Sequence, residues 1–213
     1  MKTDEFVNLL AAGETPVPGD VAFRRFSMAI AVALVGSAIL MLTIYGIRPD
    51  IGGVARTPIF WAKVAFPLSL AIGAAMAVGR LARPATRVGF SLPLMTAPVL
   101  VVWIAAAALV MAAVPEARMS LIFGQTWRSC PLNILLLSTP GFVAMIWAMR
   151  GLAPTRPRRA GAAAGLLASA IGTLVYCLHC PEMSPAFWGI WYLLGLLLPT
   201  VIGALLGPRL LRW

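Results

Sequence analysis

This sequence predicts an all-α protein, a bundle of six membrane-crossing helices with both chain ends on the cytoplasmic side. Three observations lead there. The 213 residues are 61% hydrophobic and only 11% charged, with a mean hydropathy of +0.91, far too apolar for a water-soluble chain. Apolar stretches long enough for a bilayer core of roughly 30 Å recur at 26–47, 59–79, 94–114, 132–149, 161–178 and 187–207. Basic residues then divide unevenly between the two sets of connections. Lys2, Arg24, Arg25, Arg80, Arg83, Arg87, Arg150, Arg156, Arg158, Arg159, Arg209 and Arg212 fall with the termini, against Arg48, Arg56, Arg118 and Arg128 on the other side. Short loops rich in Lys and Arg stay in the cytoplasm, which puts the termini there. Backbone amides cannot be left bare in lipid and the stretches are too long for barrel strands, so helices are the consistent conformation.

The chain divides into a tail, 1–25, a transmembrane domain, 26–208, and a short cytoplasmic end, 209–213. Asp4, Glu5, Glu14 and Asp20 make the tail unlike a secretory leader, and the first span is expected to remain in the mature protein. Thr3 is placed to cap a short helix with Asp4 and Glu5 in its first turn, at the positive end of the helix dipole. Phe6, Leu9 and Leu10 share one face of that helix, which ends near Gly13. A helix this short is marginal alone in water and folds against a surface, either the bilayer or a partner's groove. Pro16, Pro18 and Gly19 make 15–20 a linker.

The first span closes at Arg48-Pro49-Asp50, and Thr57-Pro58 start the second. Lys63 sits about one turn inside that second span. Either its stem snorkels outward or its ammonium pairs with Glu182, the acid near the last outer loop. The fourth and fifth spans are the shortest and are expected to need a thin local bilayer or interfacial help from Trp147 and Tyr176. Gly161, Gly165, Ser169 and Thr173 recur every fourth residue and draw a smooth stripe down the fifth span, with Gly203 and Gly207 repeating the spacing in the sixth. Helix packing within one chain, rather than dimerisation, is the expected use. Trp61, Trp127, Trp188, Trp191 and Tyr192 near the outer boundary, and Trp147 and Trp213 near the inner one, match aromatic belts.

Several functions are disfavoured by this pattern. The net charge of +10 does not argue for direct nucleic-acid binding, because the arginines cluster at helix ends where anionic lipid headgroups attract them. Coupled transport is disfavoured because all seven Asp and Glu lie in the tail or loops. No loop is long enough to bury a catalytic core, no catalytic residue is assigned, and nothing calls for a cofactor. Chemistry concentrates instead in Cys130, at the start of the fourth span, and in Cys177, His179 and Cys180, at the close of the fifth. All are expected on the outer side, in a loop open to water, where thiols oxidise. A helix N-terminus favours thiolate at Cys130, and protonated His179 would favour it at Cys180. Four readings stay open: redox or metal sensing, a structural bridge, a zinc site of three sulfurs and the His179 nitrogen, or inert small residues. A quinone-linked thiol oxidoreductase is the alternative function, although such relays normally use four cysteines and this chain has three.

The order Trp127, Cys130-Pro131, Cys177-Leu178-His179-Cys180-Pro181-Glu182, Trp191-Tyr192 and Gly207-Pro208-Arg209-Leu210-Leu211-Arg212-Trp213 resembles the NrsF-type negative regulators of bacterial sigma factors. Thr3-Asp4-Glu5-Phe6, Arg48-Pro49-Asp50 and Phe60-Trp61-Ala62-Lys63 extend the likeness upstream, with Phe6 where an aliphatic residue is expected. The resemblance implies a six-helix anti-sigma factor of the bacterial inner membrane, holding an extracytoplasmic-function sigma factor through Thr3, Asp4, Glu5, Phe6, Leu9 and Leu10. It also implies that Cys130 and Cys180 are the functional pair, with Cys177 an extra. On this reading His179 joins them in sensing an oxidant or transiently holding a metal ion, with Lys63, Glu182, Arg48 and Asp50 in support.

Overall fold

The computed structural model describes residues 3–12, 20–83, 89–152 and 154–212. Lys2, Gly13, Glu14, the linker prolines, Arg87 and Trp213 lie outside them, as do the side chains of Phe6, Leu9 and Leu10.

Among the described residues every regular element is helical. Helix α1, Thr3–Ala11, carries Asp4 and Glu5 in its first turn. Helix α2, Val21–Leu40, runs on through a π-helical turn, Met41–Tyr45, and stops at Gly46, whose φ of 72° suits a residue without Cβ. A single turn, α3 (Ile51–Val54), leads to α4 (Pro58–Leu81), where extended Thr57 and Pro58 set the start. Then follow α5 (Ser91–Ala112), α6 (Pro115–Phe123), α7 (Cys130–Arg150) and α8 (Pro157–Tyr176). The short α9 (Pro185–Phe187) passes through a second π-helical turn, Trp188–Tyr192, into α10 (Leu193–Leu210).

Six runs are long and apolar enough to cross a membrane: Val21–Tyr45, Pro58–Leu81, Ser91–Ala112, Cys130–Arg150, Pro157–Tyr176 and Pro185–Leu210. Each expected stretch has its helix. The fourth and fifth are longer than expected, at 21 and 20 residues, because Pro131 and Pro157 in the first turn start them early. At about 1.5 Å per residue each reaches roughly 30 Å, so the expected thinning is not needed.

Helix α8 is the axis of the bundle. Fourteen of its 20 residues are buried, whereas α5 buries only Ser91. Helices α4, α7 and α10 surround α8, and small residues decide how closely. A Cβ on Gly161 would overlap the carbonyl of Gly203, one on Gly165 that of Pro199, and one on Gly207 that of Pro157. The α8–α10 seam is thus backbone against backbone within the chain, and Ser169 Oγ donates across it to the Leu196 carbonyl at 3.1 Å. The outward faces leave Phe23, Ile104 and Met111 at 75%, 70% and 78% exposure, a surface suited to hydrocarbon rather than water. Trp61 and Trp147 are uncovered as belt residues would be, but Tyr176, Trp188 and Tyr192 are not. They are buried because the connections 46–57 and 177–184 fold over that end of the bundle, pinned by Arg48 N to the Leu178 carbonyl at 3.1 Å. Here the belt expectation is corrected.

Candidate functional site

The covered end of the bundle holds its polar interior. Cys130 opens α7, and the 177–184 connection turns inward so that Cys177 and Cys180 face the same space; all three thiols are free and fully buried. This corrects the expectation of sulfur in a watery loop. Phe187, Trp188 and Tyr192 are buried in the same core as the three thiols, and α4 reaches them through Lys63.

Cys130 and Cys180 are brought near enough for their thiols to interact. A chain of hydrogen bonds approaches from α2: Tyr45 OH donates to Asn133 Oδ1 at 3.0 Å and Asn133 Nδ2 to Tyr176 OH at 3.3 Å, which sets the Tyr176 hydroxyl beside Cys130. The Glu182 backbone N–H and the Tyr192 hydroxyl lie near the Cys180 sulfur. That hydroxyl is buried and finds no well-formed partner among the described residues. Asn133 sits one turn beyond Cys130 on the same face of α7, so a polar residue inside an apolar span was the signal that sequence reasoning passed over.

Lys63 is fully buried, the one charged side chain among the described residues that is. Its Nζ donates to the Cys180 carbonyl at 2.6 Å and lies 5.7 Å from the centre of the Tyr192 ring. Both sequence expectations for it are corrected: it neither snorkels outward nor pairs with Glu182. The Glu182 carboxylate instead accepts the backbone N–H groups of Gln125 at 2.6 Å and Thr126 at 3.2 Å, fixing the 113–129 connection to the roof. Gly124, at φ +53°, stands where a Cβ would strike that carboxylate. Arg48 makes paired 2.7 Å bonds to Asp50 and a 3.2 Å bond to the same Cys180 carbonyl that Lys63 holds. The Arg48 partnership holds the Asp50 carboxyl below the usual carboxylate range.

His179 is directed elsewhere. Its Nδ1 lies 3.0 Å from the Gly46 carbonyl and its ring leans on Tyr45 and Tyr176. Among the described residues no group of three or more His, Cys, Asp or Glu side chains is arranged to hold a metal ion. The expected set of Cys130, Cys180 and His179 is therefore not assembled, nor is a zinc site of three sulfurs and a nitrogen, because the imidazole is spent on tying α2 to the roof. The two remaining thiols differ in chemistry. The neighbouring Cys130 thiol, with Lys63 near, holds the Cys180 thiol below its ordinary value, while burial pushes Cys177 up to about 12. Cys177 has only a long contact, 4.0 Å, to the Lys63 carbonyl.

Fold and site together define a class: a bundle of six long apolar helices with a buried pair of apposed thiols at one end. Comparison narrows the class to a family. The NrsF model, described as negative regulator of sigma F, matches residues 10–213, and the chain belongs to that family. A protein of Azospira oryzae named probable anti-sigma-F factor NrsF is 46% identical over 213 residues, covering all of both chains. The anti-sigma-F factor NrsF of Caulobacter vibrioides is 36% identical over 223 residues, again over the full length of both. No solved structure matches the chain.

Proposed function

We propose that this protein is an anti-sigma factor of the bacterial inner membrane. Its termini face the cytoplasm, and it holds a sigma factor of the extracytoplasmic-function type until thiol chemistry at Cys130 and Cys180 releases it. The observation that carries the sensing half is the burial side by side of those two sulfurs, one at the start of α7 and the other in the 177–184 connection. The family and the names of both relatives support the sigma-factor half. The excess of arginine and lysine with the termini supports the orientation, with the thiol end outside.

The grip is α1, with Asp4 and Glu5 in its first turn and Phe6, Leu9 and Leu10 as its apolar contacts. A two-electron oxidant takes two electrons and two protons from the Cys130–Cys180 pair and leaves a disulfide; a soft heavy-metal ion would bridge the same sulfurs. Either ties the start of α7 to the roof of the site. The α8–α10 seam, packed backbone against backbone at Gly161, Gly165, Gly203 and Gly207, carries the displacement to the other end. Emptying a nearly saturated complex takes roughly 5 kcal/mol of bias, and one disulfide supplies about 2–4.

The test replaces Cys130 and Cys180 by serine and follows a sigma-dependent promoter under diamide or cadmium. Loss of the response is expected in each variant, and an unchanged response ends the sensing reading. In parallel, Phe6→Ala with Leu10→Ala is expected to abolish co-purification of the sigma factor while the membrane level of the protein holds. Retained binding would remove α1 as the grip.

A further inference from the structure

At the end of the bundle away from the thiols, a cleft of about 590 Å³ lies between α4, α5, α8 and α10, within the usual size of sites that enclose a small molecule. It forms because α5 starts late. Met95 and the Ser91 carbonyl meet α4 at Gly73, about two turns before α4 ends at Leu81. Beside those two turns, Ala77 and Leu81 line the cleft from α4, Ala163 and Leu166 from α8, and Met95 from α5. The lining is apolar but for three side chains. Thr200 already donates to the Leu196 carbonyl at 2.8 Å, and the other two are Arg156 and Arg159, both exposed, at the start of α8. No carboxylate stands among the described lining residues, and the one ion pair among the described residues, Arg48 with Asp50, is at the other end.

We propose that this cleft is a binding site for one anionic phospholipid of the leaflet on the side of the chain termini. Arg156 and Arg159 hold its phosphate, and one acyl chain lies against Leu81, Ala163 and Leu166. The proposal goes beyond the sigma-factor and thiol readings and takes from them only the membrane location. Cations at the rim and hydrocarbon below match an amphiphile with an anionic head, and two guanidinium forks suit a phosphate. Depth agrees with this. Between Arg156 and Leu166 the chain rises by roughly 15 Å, half of a bilayer core of roughly 30 Å, so the cleft is one leaflet deep. An acyl chain spans that distance, whereas a loop of a water-soluble partner would bring bare backbone into hydrocarbon. A lipid seated there bridges the start of α5 to α8 and braces a helix that at this end leans on α4.

The test titrates dioleoyl phosphatidylglycerol into the full-length protein, delipidated in a maltoside detergent, and counts bound lipid by native mass spectrometry. One tightly held phosphatidylglycerol is expected, with dioleoyl phosphatidylcholine weaker by about tenfold or more. Arg156→Gln with Arg159→Gln is expected to weaken phosphatidylglycerol by about tenfold or more, whereas Arg209→Gln with Arg212→Gln, which removes equal charge from the same end, changes it by less than about threefold. Equal losses in the two double variants would reduce the attraction to a diffuse film of charge and overturn the site, as would equal binding of the two lipids. Displacement of the lipid by inorganic phosphate alone would make this a soluble-anion site and overturn it too. Leu166→Trp fills the cleft and is expected to lose the lipid while the sigma factor still co-purifies. Lipid retained with the sigma factor lost would assign the cleft to the protein partner and overturn the proposal. Should Leu166→Trp fail to accumulate, the arginine variants, both at exposed positions, decide alone.

Discussion

Lys63 Nζ donates to the carbonyl oxygen of Cys180 at 2.6 Å, joining the first turns of α4 to the roof of the thiol site across 117 residues of sequence. Arg48 takes the other side of the same carbonyl at 3.2 Å. Two cations on one peptide oxygen hold the 177–184 connection down, and this is why the sulfurs are covered. Glu182, two residues along, is not part of that clasp: it belongs to the 113–129 connection.

A double-mutant cycle separates the two. Lys63→Ala and Glu182→Ala are expected to destabilise additively, within about 0.5 kcal/mol in thermal unfolding, because they share no partner. A coupling well beyond that would mean that the ammonium and the carboxylate meet after all.

The small-residue seam makes a second prediction. Gly161→Ala or Gly203→Ala drives a methyl into facing backbone and is expected to cost about 1–3 kcal/mol, read as a lower melting temperature in detergent. Gly52→Ala, whose Cβ would meet nothing within 4 Å, serves as control and is expected to stay within about 0.5 kcal/mol of wild type.

Stability should follow pH through Cys180. Its thiol titrates lower in the folded protein than in the unfolded chain, so its contribution is complete above the unfolded value of about 8.5 and is lost as pH falls below it. The melting-temperature gap between reduced wild type and reduced Cys180→Ser is therefore expected to widen as pH rises toward about 8.5 and then level off. Cys177 titrates the other way, but it is common to both proteins and cancels. A gap independent of pH would show that the surroundings do not lower the Cys180 thiol.

Burial of the native thiols changes how orientation is measured. Bulky maleimides are expected to leave Cys130, Cys177 and Cys180 unlabelled until the protein unfolds, whichever way it faces. Single cysteines at exposed positions in a background of Cys130→Ala, Cys177→Ala and Cys180→Ala answer the question. Arg118→Cys is expected to react from outside intact spheroplasts and Arg158→Cys only after lysis; the reverse pattern would invert the proposed orientation.

Length and hydropathy were enough to find six helices, because crossing hydrocarbon demands about 20 apolar residues whatever they pack against. The glycine stripe was legible for a similar reason, since a fixed four-residue spacing puts small residues on one helix face whatever lies opposite. The site was legible only as parts. Nothing local to Lys63 indicates Cys180, and nothing local to Tyr192 says that its ring will be inside; both follow from loops that fold back, and long-range closure leaves no periodic trace. His179 misled for the converse reason. Adjacency to Cys180 in sequence suggested a shared site, but on a tight turn neighbouring side chains diverge, and its ring goes to Gly46.

Helix α5 touches the rest of the protein through α4, α9 and the π-helical turn before α10, where Trp103 Nε1 donates to the Gly189 carbonyl at 2.8 Å, and it buries only Ser91. Most of its circumference is completed by whatever amphiphile surrounds the chain. Purification in short-chain surfactants should therefore loosen this outermost helix first, and nanodiscs or long-chain maltosides are the preparations in which the thiol end will keep its shape.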